Sequence, residues 1–171
     1  MKVHFASGEH PFPQPWWNVD YIGGDQQADL LDELPDNLVN IERAYVGHFL
    51  EHLTPDEGVK FLIRVRERMA PKGRLIVIGP DVEKGRALHA RGRISDDLLY
   101  RIGAHGERTG PGGIDRSHCH LWDCTAEDVL SQVRQAGWPR AAEFPIADLP
   151  TLYPDIPVIS LAEWQFAVTA R

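Results

Sequence analysis

Between Ile41 and Gly79 the chain reads strand, capped helix, strand, and that order leaves few folds open. Ile41 to Val46 is strand-like, and Gly47-His48-Phe49-Leu50-Glu51-His52-Leu53 leaves its end. Thr54 suits an N-cap and Pro55 the first helical position, and Glu57 completes a capping box. Val59, Leu62, Ile63, Arg66 and Met69 then keep helical spacing with a mostly apolar face. Pro71-Lys72-Gly73 stops the helix, and Arg74-Leu75-Ile76-Val77-Ile78-Gly79 is a continuous aliphatic run between turns, the mark of a buried strand. Such a unit belongs to a mostly parallel sheet with helices packed on it.

The flanks extend this α/β reading. Lys2 to Ser7 reads as a short strand ending at Gly8, and Trp17 to Tyr21 as a second one closed by Gly23-Gly24. Pro11, Pro13 and Pro15 lie between them, so no helix joins the two. Gln27 to Leu31 is a weaker strand candidate. Helices are expected from about Val82 to Arg91, from Ser95 to Ile102, and after the Thr125–Asp128 capping box as far as Gly137. Gly103 to Ser117 is a Gly-rich loop, long for a compact domain. Ala141 to Ile146 and Trp164 to Thr169 are the last strands, the final one expected to run antiparallel.

The chain has 171 residues, which suits a single domain. A domain of this length buries about 70% of its unfolded surface, so it needs neither metal nor disulfide to fold. Cys119 and Cys124 sit in one segment and are not a disulfide framework. No apolar run approaches a membrane span, and Met1 to Phe5 lacks the features of a signal peptide. A cytoplasmic protein that does not bind membranes is the expectation. The net charge of −7 argues against a nucleic-acid partner, and Arg86, Arg91, Arg93 and Arg101 read as a solvated helix face.

Ligands of open α/β sheets bind beyond the carboxyl ends of the strands. That rule points to Gly8, Asp20, the Asp29 region, Gly47-His48 and Gly79-Pro80-Asp81. Asp20 has the chemistry to accept two ribose hydroxyls, or to cap the turn before Gly23-Gly24. Asp29 is either an acceptor for an adenine amine or a surface acid. His118, Cys119, His120 and Cys124 invite a metal reading. Adjacent residues rarely face one ion and no Cys-x-x-Cys pair is present, so no metal is expected.

Taken together, these segments resemble the small class I S-adenosylmethionine-dependent methyltransferases of the type 11 kind, with a reduced Rossmann-like fold. The resemblance runs from about Val3 to Phe144. It rests on Val3 to Gly8, Asn18-Val19-Asp20, Asp29-Leu30 with Leu34-Pro35, and His48-Phe49-Leu50-Glu51-His52-Leu53. It continues through Pro71-Lys72-Gly73, Gly79-Pro80-Asp81, His118-Cys119-His120-Leu121-Trp122-Asp123 and Ala136-Gly137.

The resemblance implies S-adenosylmethionine as cofactor. Ala6, Ser7 and Gly8 would line its methionine part, and Asp20 would bind the ribose with Tyr21 beside the adenine. Asp29 and Leu30 would meet the adenine edge, and Gly47 and His48 would close over the sulfonium. His48, His118 and His120 are the candidate bases for an oxygen acceptor, a small molecule or glycan. Two departures stand out: Ala6 replaces the first glycine of the Gly-x-Gly turn, and the first helix is missing. They imply weaker cofactor binding, a pocket completed by a partner such as a second copy in a homodimer, or a non-catalytic relative that has lost turnover.

Overall fold

A computed structural model describes residues 1–104, 119–157 and 161–171. Its strands are β1 (Lys2–Phe5), β2 (Trp16–Asp20), β3 (Gln26–Gln27), β4 (Ile41–Gly47), β5 (Met69–Pro80), β6 (Ala141–Glu143) and β7 (Gln165–Ala170). They form one seven-stranded sheet in the order β3-β2-β1-β4-β5-β7-β6. The pairs among β1 to β5 are parallel, and β7 runs against both its neighbours. The parallel sheet and the reversed last strand match the sequence expectation.

The helices are α1 (Pro55–Arg68), α2 (Val82–His89), α3 (Asp96–Ile102), α4 (Ala126–Gln135) and the single turn α5 (Leu149–Leu152). The Thr54 capping box forms in both directions: the Thr54 side chain accepts from Glu57 N–H, and the Glu57 carboxylate accepts from Thr54 N–H at 2.8 Å. Ser95 and Thr125 cap α3 and α4 as their sequence positions suggest. No helix lies between β1 and β2. None of the described helices is long and apolar enough to cross a membrane.

The two faces of the sheet are covered differently. Phe61, Leu62 and Val65 of α1 and Val129 and Val133 of α4 pack with Val3, Phe5, Val46, Val77 and Val168 in the main core. The opposite face carries Trp16, Tyr45, Ile76, Ile78 and Ala167. Phe12 of the proline-rich loop, α5, Tyr153 and Ile156 cover it. That cover is tied down at residue 155. The Asp155 carboxylate pairs with Lys2 at 2.7 Å and with Arg43, and its carbonyl accepts from Trp16 Nε1 at 2.9 Å. Loop segments, the 3-10 turn Ile146–Asp148 and α5 therefore stand where helices were expected on this face.

Buried Asn18 replaces the missing first helix as the organiser of the β1–β2 connection. Its side chain accepts from Phe12 N–H at 2.7 Å and donates to Phe12 O at 2.9 Å and Asp25 Oδ2 at 2.8 Å. These bonds satisfy backbone groups that the proline-rich loop cannot pair itself.

Candidate functional site

The carboxyl ends of β1, β2 and β4 meet at one rim. Just past β1 the chain turns through Ala6 and Gly8, both left-handed, with φ 54° and 50°. Gly8 N–H donates to Asp20 Oδ2 at 2.8 Å, and Ile22 N–H to Oδ1 at 3.0 Å. Each Asp20 oxygen thus holds one backbone donor and keeps a further lone pair. A Cβ on Gly8 would meet nothing within 4 Å, so open space stands beside this bend. Ser7 Oγ, by contrast, is buried and has no hydrogen-bond partner among the described residues.

A cleft of about 370 Å³ opens from this bend. Ala6, Ser7, Gly8, Gly47 and His48 all line it, with His4, Tyr45, Trp164 and Gln165. Gly47 is needed there, because a Cβ would lie 2.7 Å from the Tyr45 ring. Tyr21 lies beside the cradle and is 69% exposed. Asp29 joins the same rim: the adjacent Ala28 N–H bonds Asp20 O at 2.8 Å, and Asp29 Oδ1 accepts from Leu31 N–H at 2.9 Å. Leu30 is different. Its side chain is drawn into the main core, and its carbonyl accepts from Arg64 at 3.0 Å.

His48 is held on three sides. Its Nε2 lies 2.7 Å from Gln165 Nε2, and Gln165 Oε1 accepts from Ala162 N–H at 2.7 Å. The bond to Ala162 fixes the amide, so Gln165 donates and His48 Nε2 accepts. The ring proton then sits on Nδ1, which stands 3.2 Å from Glu51 Oε1. Trp164 meets the ring edge-on at 6.0 Å. Burial pulls the His48 pKa down, but the hydrogen bonding and charge of the Glu51 carboxylate outweigh it and leave it above the ordinary value. His48 also takes a left-handed backbone, φ 52°, which aims it from the end of β4.

Burial governs His4, Tyr45 and Cys124. Burial drops the His4 pKa to about 4, against opposing pulls from Asn18 and Asp20. It pushes Tyr45 up to about 12. It also raises the Cys124 thiol, which lies in the core. Burial acts on Glu51 too, but His48, His52 and His120 overcome it and hold that carboxyl below the ordinary range.

The remaining expected site residues fall elsewhere. His120 stands beside His52, ring centroids 5.1 Å apart, and does not line the cleft. His118 lies outside the described residues. Asp81 is the cap of α2, accepting from Glu83 and Lys84 N–H at 3.1 Å each. Sequence reasoning gave no role to Glu51, His4, Tyr45, Trp164 or Gln165. Glu51 sat inside a recognised motif, whereas nothing local to Gln165 links it to His48.

The chain is similar in structure to solved methyltransferases. The S-adenosylmethionine-dependent methyltransferase SibL aligns with a TM-score of 0.60 at 14% identity, over 98% of this chain and 49% of SibL. The glycopeptide N-methyltransferase MtfA, complexed with S-adenosyl-L-methionine, aligns with a TM-score of 0.59 at 11% identity, over 99% of this chain and 80% of MtfA. The pyocyanin biosynthetic protein PhzM aligns with a TM-score of 0.56 at 14% identity, over 98% of this chain and 48% of PhzM. The chain thus spans about half the length of SibL and PhzM. No protein-family model and no curated protein matches its sequence. The fold is that of the class I S-adenosylmethionine-dependent methyltransferases.

Proposed function

We propose that this chain binds S-adenosylmethionine and transfers its methyl group to a hydroxyl of a small molecule or glycan. The observation that carries the reading is the Gly8–Asp20 bond, 2.8 Å, which draws the β1 turn and the end of β2 into one cradle at the mouth of a cleft. The cradle fits an adenosine-bearing cofactor. Asp20 has lone pairs to spare for ribose hydroxyls, and Ser7 Oγ is a buried polar atom without a partner. Tyr21 and Asp29 are the rim groups for the adenine. The Leu30 side chain lies in the core, so this reading gives the adenine edge to Asp29.

The cofactor supplies an electrophilic methyl on a sulfonium, so the protein's work is mainly alignment. His48 is the group that would receive the acceptor's proton. Its Nε2 is the accepting nitrogen and now takes the Gln165 amide at 2.7 Å. An acceptor hydroxyl would take the place of that amide. His118 and His120 remain the alternative bases named by sequence. MtfA is an N-methyltransferase by name, so a nitrogen acceptor is the variant of this reading to test alongside oxygen.

A second reading, a binding module without turnover, is favoured by two observations. Both Asp20 oxygens already hold backbone donors, and Ala6 occupies a left-handed position that suits glycine. A crystal structure with S-adenosylhomocysteine decides between the readings. The enzyme requires adenosine on Asp20 and an acceptor-sized space between the sulfur and His48. A cleft filled by the protein's own side chains, or a ligand bound elsewhere, would refute it.

A further inference from the structure

Glu51, His52 and His120 form a second constellation, next to the cleft but outside its lining. One ring nitrogen of each histidine and a carboxylate oxygen of Glu51 lie within 4.8 Å of one another. Two cross-links hold the segments together. Leu121 N–H donates to Glu51 O at 2.8 Å, and Trp122 Nε1 donates to Leu50 O at 3.1 Å. The side chains are oriented as well. His52 Nδ1 is 3.0 Å from Cys119 O, and His120 Nδ1 is 3.1 Å from Ile102 O. A carbonyl accepts only, so each Nδ1 carries the proton and each Nε2 a lone pair. Imidazoles that ligate metals are usually anchored in this way.

The charge balance points the same way. Glu51 is 1% exposed, and its Oε1 has no hydrogen bond of good geometry among the described residues. Among the described residues its ion-pair partner is His48, and no described Lys or Arg pairs with it. A buried carboxylate is costly without a cation beside it. Two imidazole nitrogens and a carboxylate converge at one point there, a donor set suited to a metal cation.

We propose that Glu51, His52 and His120 bind a divalent first-row transition ion, zinc or manganese in character. Two imidazoles and one carboxylate form a mixed nitrogen–oxygen set that leaves coordination positions open. Ligand atoms around tetrahedral zinc stand about 3.3 Å apart, so the three groups would draw closer together around a bound ion. The site differs from the one the sequence suggested and rejected, because its ligands come from two segments. Cys124 is excluded, since its thiol is buried in the core. Glu51 also faces His48, so the ion would stand one carboxylate away from the cleft.

The test is metal binding itself, independent of any methyl transfer. The full chain is stripped with a chelator and titrated by calorimetry with zinc or manganese alone, and the bound metal is then counted by mass spectrometry. One ion per chain is expected, with His120→Ala and His52→Gln weakening it at least tenfold. His89→Ala, at a surface histidine paired with Asp96, is expected to bind as the wild type does. Should His120→Ala fail to fold, the visible spectrum of the cobalt-loaded wild type decides. Bands of nitrogen and oxygen ligation support the site, and thiolate charge-transfer bands would move the ion to Cys119 and overturn it. Binding that survives both histidine substitutions, or no binding by the wild type, also overturns it.

Discussion

Gln165 donates to His48 across 2.7 Å, and this contact makes Nε2 the accepting nitrogen of the imidazole. The amide cannot flip without losing the Ala162 N–H bond at 2.7 Å. His48 therefore presents an acceptor nitrogen to the cleft, the form required of a base. Under this reading His48→Ala reduces turnover by about 10²–10⁴-fold. It weakens S-adenosylhomocysteine binding by less than about tenfold, within the energy of one lost hydrogen bond. Comparing kcat with calorimetric affinity checks the split, and equal losses in both would assign His48 to binding alone.

His4 makes stability depend on pH. Its pKa in the folded protein is about 4, against 6.5 for the free side chain, because burial disfavours the charged ring. As pH falls through this window the unfolded chain takes up a proton that the folded one refuses. His4 therefore supports the fold fully above pH 6.5 and progressively less down to pH 4. The loss is about 3 kcal/mol. Urea unfolding at several pH values checks it, and His4→Phe is expected to remove this part of the acid sensitivity.

Ala6 and Ala87 are expected to respond oppositely to glycine. Ala6 has φ 54°, a conformation that costs a side-chain-bearing residue about 1–2 kcal/mol. The greater freedom of glycine in the unfolded chain returns about 0.4–1 kcal/mol. Ala6→Gly should thus be neutral or stabilising by up to about 1.5 kcal/mol. Ala87→Gly, on the exposed side of α2, should cost about 1 kcal/mol. Thermal melts of the two variants side by side give the answer.

Asn18→Ala is expected to be among the most damaging single changes near the site. It strands Phe12 N–H and C=O, which the Asn18 side chain bonds at 2.7 and 2.9 Å in a buried position. The expected cost is about 2–4 kcal/mol. Denaturant titration checks it, and a loss under about 1 kcal/mol would mean that water replaces the side chain.

What the sequence disclosed was local, and what it hid was distant. The β4–α1–β5 unit was readable because Thr54, Pro55 and Glu57 announce the helix within one turn. The missing first helix was readable because three prolines forbid it. β3 was read as Gln27 to Leu31 but covers Gln26–Gln27, held by backbone pairing to β2 while Leu30 turns into the core. The cover over the second face was not readable. It depends on Asp155 meeting Lys2 and Arg43 far away in the chain. In the site, Asp20 and the Ala6–Gly8 bend follow from position after a strand. Gln165 meets His48 across 117 positions, and no local pattern announces that. Glu51 lay within a noticed motif, but its burial among three imidazoles is a tertiary fact.

The cofactor cradle bears the weight of the functional account. Its most direct test is calorimetry of the intact chain with S-adenosylhomocysteine, wild type against Asp20→Ala, with circular dichroism confirming that the variant folds. Saturable binding by the wild type, weakened about 10–100-fold or lost in the variant, is the predicted result. A wild type that takes up no ligand at millimolar concentration, or a folded Asp20→Ala that binds equally well, would contradict it.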